Sequence, residues 1–378
     1  MTPDELAVRL RHGDPTTILD VRNRDEFDEW HVDGRSVTAT QMPAIRFTQA
    51  EVLGTVADVA DQFRDAPSPV VVVCGEGRAS DHVASLLSSV GVDAENLESG
   101  MEGWARVYRS SELSHADATV LQYDRPSSGC LAYLVVAGDE AVVVDPLRAF
   151  ADRYVEDAHD LGADIVAAID THVHADHVSG VRAVADRTGA EIVLPAGAAV
   201  RGLSFDTRLL ADGESVTLGA VELVAVHSPG HTSEMTAYRL GDVLFVGDGL
   251  FVESVARPDL EDGDDGAPTA ARQLYQTLTD RYGEFDDTVR IAPAHYSPVA
   301  VPDETGVYVA SLGELRQRLD ALSMDADDFV EYVLADMPPR PANYERIIET
   351  NLGIVDLDDD DAFDVEVGPN NCAATTSV

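Results

Sequence analysis

Over residues 1–110, short apolar runs alternate with stretches of helical spacing. Residues 17–21 (Thr-Ile-Leu-Asp-Val) and 69–73 (Pro-Val-Val-Val-Val) read as two buried strands. Between them, Val52, Leu53, Val56, Val59 and Phe63 recur at helical spacing, so one amphipathic helix is expected over 51–63. After Cys74 a small-residue loop leads into residues 81–90, where Val83, Leu86, Leu87 and Val90 share a face. Strands alternating with helices predict a mostly parallel α/β sheet with helices on both sides. The polar Ser110-Ser111-Glu112 opens an expected linker over 111–117.

From residue 118 the pattern changes. Residues 131–136 and 141–144 are apolar runs around Gly138-Asp139, the signature of a hairpin. A helix is expected over 150–161 and a strand over 165–169, with further strands over 191–194, 221–226, 235–240 and 243–246. Sheet-rich halves with outer helices predict a layered α/β sandwich over 118–355. Residues 259–265 are expected to be a loop. The stretch 356–378, with four consecutive aspartates, is expected to be a disordered, solvating tail.

Charge narrows the class. The chain of 378 residues carries 69 acidic and 26 basic side chains, a net charge of −43, and all of the basic ones are Arg. Such a surface opposes its own compaction unless concentrated salt screens it. The reading is a cytoplasmic protein of a salt-accumulating halophile. Nucleic-acid binding is excluded for want of basic patches. No apolar run is long enough to span a bilayer, and the first residues lack the basic and apolar regions of a secretory signal. Cys74, Cys130 and Cys372 are few and scattered, which points away from a disulfide framework. Cys130, beside an apolar strand, reads as core, and Cys372 is assigned no role.

Chemistry concentrates directly after the strand expected over 165–169, where His172, His174, Asp176 and His177 fall within six residues. Imidazoles and carboxylates suit zinc, iron or manganese, and a loop at a strand end can converge them. If buried for structural reasons alone, each would need its own polar partner. Later strand ends supply Gly230-His231, Gly247-Asp248 and Ala294-His295.

The order and spacing of these segments resemble the metallo-β-lactamase superfamily, over about residues 118–355. The resemblance implies an αββα sandwich with His172, His174 and His231 in one half-site, Asp176, His177 and His295 in the other, and Asp248 between them. The segment 250–260, with Arg257-Pro258-Asp259, resembles the persulfide dioxygenase branch, as do residues 338–344 and Asn351-Leu352-Gly353. That branch implies one Fe(II) per chain, held by His172, His231 and Asp248. His174, Asp176, His177 and His295 would then support the ligands. Arg257 would hold an anionic persulfide, or else form a structural ion pair.

Residues 1–110 resemble a single rhodanese domain through Leu19-Asp20-Val21-Arg22, His31-Val32-Asp33-Gly34 and the Gly-rich 97–104 before Trp104. Cys74 stands at a strand end, followed by Gly75, Glu76, Gly77, Arg78 and Ala79. Loop N–H groups and a helix N-terminus stabilise an anion at such a sulfur. Arg78 stands one place earlier than the Arg often found there, and Ala79 takes that position, which leaves the sulfur donor open. Asp20 and Arg22 read as structural.

The combined expectation is a persulfide dioxygenase–sulfurtransferase fusion acting on a thiol persulfide, O₂, and thiosulfate or sulfite. Homo-oligomer formation is left open. The rivals are a thioester hydrolase resembling glyoxalase II, with two zinc or mixed ions, and a non-oxidative sulfur carrier.

Overall fold

The apolar runs at 17–20 and 70–73 become β1 (Thr16–Asp20) and β3 (Val70–Val73), each buried along its whole length. With β2 (Val37–Gln41) and β4 (Ala94–Asn96) they form a parallel sheet in the order β2–β1–β3–β4. The computed structural model describes residues 1–335 and 337–374. It divides into two units, Met1–Tyr108 with Arg125–Ser128, and Arg109–Asp124 with the chain from Gly129 onward.

The single helix expected over 51–63 is interrupted. A helix spans Ala44–Leu53 and stops because Gly54 takes the left-handed φ of 70° as its C-cap. A short helix, Val56–Ala60, and a 3₁₀ turn follow. The break leaves Val52 and Leu53 facing solvent. The helix after Cys74 spans Arg78–Ser89 and buries Val83, Ala84 and Leu87 on the sheet.

The expected linker over 111–117 is part strand and part irregular, with 114–117 outside any helix or strand. Its first residues contribute to β5 (Arg109–Leu113), which pairs antiparallel with β6 (Thr119–Arg125). Leu113 anchors this polar edge strand in the core. The remaining strands of this sheet are β7 (Cys130–Ala137), β8 (Glu140–Val144), β9 (Asp164–Ile169), β10 (Glu191–Pro195) and β11 (Arg208–Leu210). They lie in the order β11–β10–β9–β8–β7–β6–β5. A second sheet runs in sequence order through β12 (Ser215–Leu218), β13 (Val221–His227), β14 (Thr236–Leu240), β15 (Val243–Gly247), β16 (Arg290–Pro293) and β17 (Ala310–Ser311).

The two sheets face each other. Tyr133, Val135, Val142 and Val144 of the first share one core with Leu223, Ala225, Tyr238 and Phe245 of the second. Strand alternation sends Ala237, Leu244 and Val246 to the opposite face, where Leu274, Leu278, Leu315 and Phe329 cover them. On the first sheet, helices Ala151–Asp160 and Val181–Thr188 pack against β9. The result is a helix–sheet–sheet–helix sandwich whose ligand-bearing loops leave the ends of β9, β13 and β15.

The segment expected to be a disordered tail folds. Asp358 accepts a hydrogen bond from the Asp361 N–H and starts a helix, Asp359–Val365, whose acidic first turn complements the helix dipole. Ala362, Phe363 and Val365 are buried. Beyond it, Ala373 bridges to Ala256, the Arg257 N–H donates to Cys372 O at 3.0 Å, and the Ala374 N–H to Val255 O at 2.9 Å. Residues 375–378 lie outside the described residues. The loop expected over 259–265 ends early, because the helix Gly263–Gln276 starts inside it.

Candidate metal centre and sulfur site

β9 ends at Ile169, and the loop after it is wired to the rest of the sandwich. Asp145, at the end of β8 with φ of 50°, accepts from the Thr171 N–H at 2.7 Å and the Thr171 hydroxyl at 3.0 Å. Because that hydroxyl proton is spent on Asp145, Thr171 Oγ1 accepts from His172 Nδ1–H at 2.9 Å. His172 Nε2 therefore presents a lone pair. His231 reaches the same tautomer by donating from Nδ1 to Arg257 O at 2.8 Å. Asp248 accepts from His295 Nδ1 on Oδ1 at 2.5 Å.

Three atoms remain, His172 Nε2, His231 Nε2 and Asp248 Oδ2, all buried and without hydrogen-bond partners. They converge: Asp248 Oδ2 is 3.7 Å from His172 Nε2 and 3.4 Å from His231 Nε2. Two ligands each ~2.1 Å from one ion stand about 3.0–3.4 Å apart, so the spacing suits a single cation. Burial, then the neighbouring His174, holds His172 well below the usual imidazole range, and burial lowers His231. Both are thus neutral, as ligation requires. Burial alone would raise Asp248, but the His295 charge overrides it and keeps the carboxylate ionised. The set fits a metal ion held by two imidazoles and a carboxylate.

The second cluster is arranged differently. Asp176 Oδ2 accepts from His295 Nε2 at 2.8 Å, His177 Nδ1 at 3.1 Å and Cys130 Sγ at 3.2 Å. His295 thus bridges two carboxylates and has both ring nitrogens engaged. Against the cost of burial, Asp248 and Asp176 together push His295 well above the usual range, and Asp176 does the same to His177. His174 donates from Nε2 to Asp145 at 3.1 Å, while its buried Nδ1 lacks a partner and lies 4.0 Å from Asp176 Oδ1. Cys372 Sγ lies within 4.8 Å of ligand atoms of Asp176, Asp248 and His295.

Distant residues hold this loop in place. Asn351 donates to the carbonyls of His174 and His177, both at 2.9 Å, and accepts from the Ser179 N–H at 2.8 Å. Glu234, itself paired with Arg201, accepts from the Val173 N–H at 2.9 Å.

In the first unit, Cys74 follows β3 directly. Its sulfur accepts from the Gly77 N–H and the Ser80 hydroxyl, both at 3.1 Å. The loop carbonyls are tied as well: the Met101 N–H donates to Cys74 O at 2.8 Å and the Glu102 N–H to Gly75 O at 3.1 Å. Gly100 makes that approach feasible, since a Cβ there would stand 2.1 Å from Cys74 O. Arg22 is pinned in a two-pronged pair with Asp20, at 2.6–3.1 Å, and donates to Trp30 O. Arg78 and Glu76 form an exposed ion pair.

Comparison with known proteins identifies the family of each domain. Residues 126–295 match the metallo-beta-lactamase superfamily and residues 2–107 the rhodanese-like domain. The chain is a rhodanese domain joined to a metallo-β-lactamase domain. Persulfide dioxygenases are among its homologues: it is 27% identical over 253 residues to the mitochondrial persulfide dioxygenase ETHE1 of Mus musculus, covering 65% of this chain and 92% of that one. The structure of ETHE1 from Myxococcus xanthus is similar with a TM-score of 0.52 at 26% identity, over 66% of this chain and 99% of the other. A hydroxyacylglutathione hydrolase of Parasynechococcus marenigrum is 34% identical over 171 residues, 43% of this chain and 64% of that one.

Within the metallo-β-lactamase domain, three assignments change. Arg257, expected to hold an anionic substrate, is 1% exposed and consumed by Asp259, Pro339 O and Asn371 O. It is the structural ion pair, and its carbonyl orients His231. Cys130, expected to be core, is buried but hydrogen-bonds Asp176. Cys372, given no role, lies against the ligands. The sequence pattern offered no signal for either: Cys130 bridges to His295, far along the chain, and Cys372 lies in the C-terminal segment. In the rhodanese domain, Gly77 of the expected loop 75–79 meets the Cys74 sulfur, and Ser80, not named among the cradling residues, does so as well.

Proposed function

We propose that the protein is a persulfide dioxygenase fused to a sulfurtransferase. One low-molecular-weight thiol persulfide, one O₂ and one water would give one thiol, one sulfite and two protons. One Fe(II) per chain, held by His172, His231 and Asp248, would supply redox access to O₂ and an open position for the persulfide sulfur. Thr171 and the Arg257 carbonyl keep both imidazole lone pairs turned inward. His295 holds a proton against Asp248 Oδ1 and leaves Oδ2 as the ligating oxygen. All three ligands are at most 1% exposed, which restricts bulk water at the centre.

The observation that carries the one-ion reading is His295, whose two nitrogens are both engaged with carboxylates. At Cys74, the thiolate takes up a sulfane sulfur and passes it on, cradled by Gly77 and Ser80. Anaerobically purified protein is expected to hold one iron per chain and to consume O₂ with a thiol persulfide, releasing sulfite. His231→Ala is expected to lose both metal and O₂ uptake; undiminished uptake would refute the assignment. A second reading is favoured by Asp176 Oδ1 and His177 Nε2, which are also buried without partners. It is a thioester hydrolase with two ions, and two metals per chain with thioester cleavage would support it instead.

A further inference from the structure

The Cys74 sulfur opens into a cleft of about 370 Å³ whose lining includes Glu26, Ile45, Glu76 and Arg78. Arg22 also lines it, but Asp20 cancels its charge. Of the remaining charged side chains, two are carboxylates and one is a guanidinium, which leaves the mouth net negative by one. Glu26 is fixed there by accepting the Asn23 N–H at 3.0 Å in a helix capping box. Arg78 is 84% exposed and turned onto Glu76, and Arg22, the other cation in the lining, is held by Asp20. The positive polarity on offer at the thiol itself is one N–H and one hydroxyl. A dianion such as thiosulfate gains little in such a site, whereas an ammonium would find the Glu26 carboxylate and could compete with Arg78 for Glu76. The Ile45 side chain, 59% exposed, and Pro43 beside it give an apolar wall for a carbon chain.

We propose that the Cys74 cleft selects sulfane donors that are thiol persulfides bearing a protonated amine, in preference to thiosulfate or carboxylate-bearing persulfides, with Glu26 and Glu76 as the selecting residues. The proposal rests on the reading that Cys74 accepts sulfane sulfur. In the step, the Cys74 thiolate attacks the outer sulfur of R–S–SH, forming a new S–S bond. The S–S bond of the donor breaks, RS⁻ leaves with the bonding pair, and it takes up the persulfide proton to give the thiol. Cyanide then removes the outer sulfur as thiocyanate and returns the Cys74 thiolate.

The test compares cysteamine persulfide, 3-mercaptopropionate persulfide and thiosulfate as donors to the full-length protein, reading thiocyanate after cyanide. A contact charge interaction at the mouth is worth on the order of ten-fold in kcat/KM. Wild type is expected to favour cysteamine persulfide over the other two by that order. Glu26→Gln combined with Glu76→Gln should bring the two organic persulfides to near parity; Gln can still close the capping box, so the helix is kept. Arg78→Gln removes the cation paired with Glu76, frees that carboxylate, and should move the ratio the other way. An unchanged ratio in the double variant, or a wild-type preference for thiosulfate or the carboxylate donor, overturns the selectivity. Thiocyanate from no donor at all overturns the sulfur-accepting reading of Cys74 and the proposal with it.

Discussion

Asp145 never touches the ligand atoms, yet it sets the tautomer of His172 through one hydroxyl. In Asp145→Asn, Oδ1 can still accept from Thr171 N–H and His174 Nε2–H, which sit at 2.7 and 3.1 Å from it. The amide nitrogen then replaces Oδ2 and donates to the Thr171 hydroxyl, 3.0 Å away. That hydroxyl must release its own proton elsewhere, and the group within reach is His172 Nδ1 at 2.9 Å. His172 is driven to the Nε2–H tautomer and its lone pair leaves the metal side. Restoring the competent tautomer forfeits a buried hydrogen bond, about 1–3 kcal/mol, or roughly five- to 150-fold in metal affinity. This overlaps the ten- to hundred-fold typical of outer partners of ligating histidines. Competition of the bound metal against a graded chelator series measures it, with far-ultraviolet circular dichroism as the fold control. Thr171→Val should fall in the same range, since it leaves His172 Nδ1 without its acceptor. Metal retention equal to wild type in Asp145→Asn would refute the relay.

Other consequences can be measured directly. Asn351→Ala removes three hydrogen bonds to the ligand loop and is expected to cost about 2–4 kcal/mol, read as a lower urea midpoint together with weaker metal retention. Asp259→Asn leaves the buried Arg257 guanidinium without its ionic partner and should destabilise the protein by about 3–5 kcal/mol in thermal unfolding. Gly100→Ala places a methyl group against Cys74 O at a left-handed φ of 55°, so thiocyanate production should fail while metal content stays at the wild-type level. Burial pushes the phenols of Tyr123 and Tyr133 up. Their folded pKa lies above the unfolded value of about 10, so their contribution to stability is intact below that pH and is lost as pH rises beyond it. Unfolding midpoints at pH 9 and pH 11 should show the drop, with a shallower slope in Tyr133→Phe.

Local chemistry was readable before the structure, and long-range pairing was not. The density of His172, His174, Asp176 and His177 announced ligands because so many polar side chains in one loop need a common partner. The apolar runs at 131–136 and 141–144 announced β7 and β8 in the same way. Arg257 looked available in one dimension, but its partners Pro339 and Asn371 lie more than 80 residues away. Cys372 and the aspartate-rich helix were misjudged because net charge suggested solvation, while Phe363 and Val365 supplied a buried face too short to register as a pattern. Helical spacing on both sides of Gly54 masked the break that its left-handed conformation imposes.

The loop carrying His172 to His177 is compact in sequence, but what shapes it is remote: Asn351 reaches it across more than 170 residues and Glu234 across about 60. A newly made chain therefore displays four side chains of metal-binding type before the clamps that arrange them exist. Unarranged imidazoles bind divalent ions in the general order of affinity, where copper and zinc outrank iron. The arrangement that could discriminate between ions is complete once the helix Tyr344–Asn351 docks and Asn351 clamps the carbonyls of His174 and His177. Refolding in mixed metals and loading of the folded apoprotein should consequently give different metal occupancies. The gap between them measures how far mismetallation is a kinetic problem for this chain.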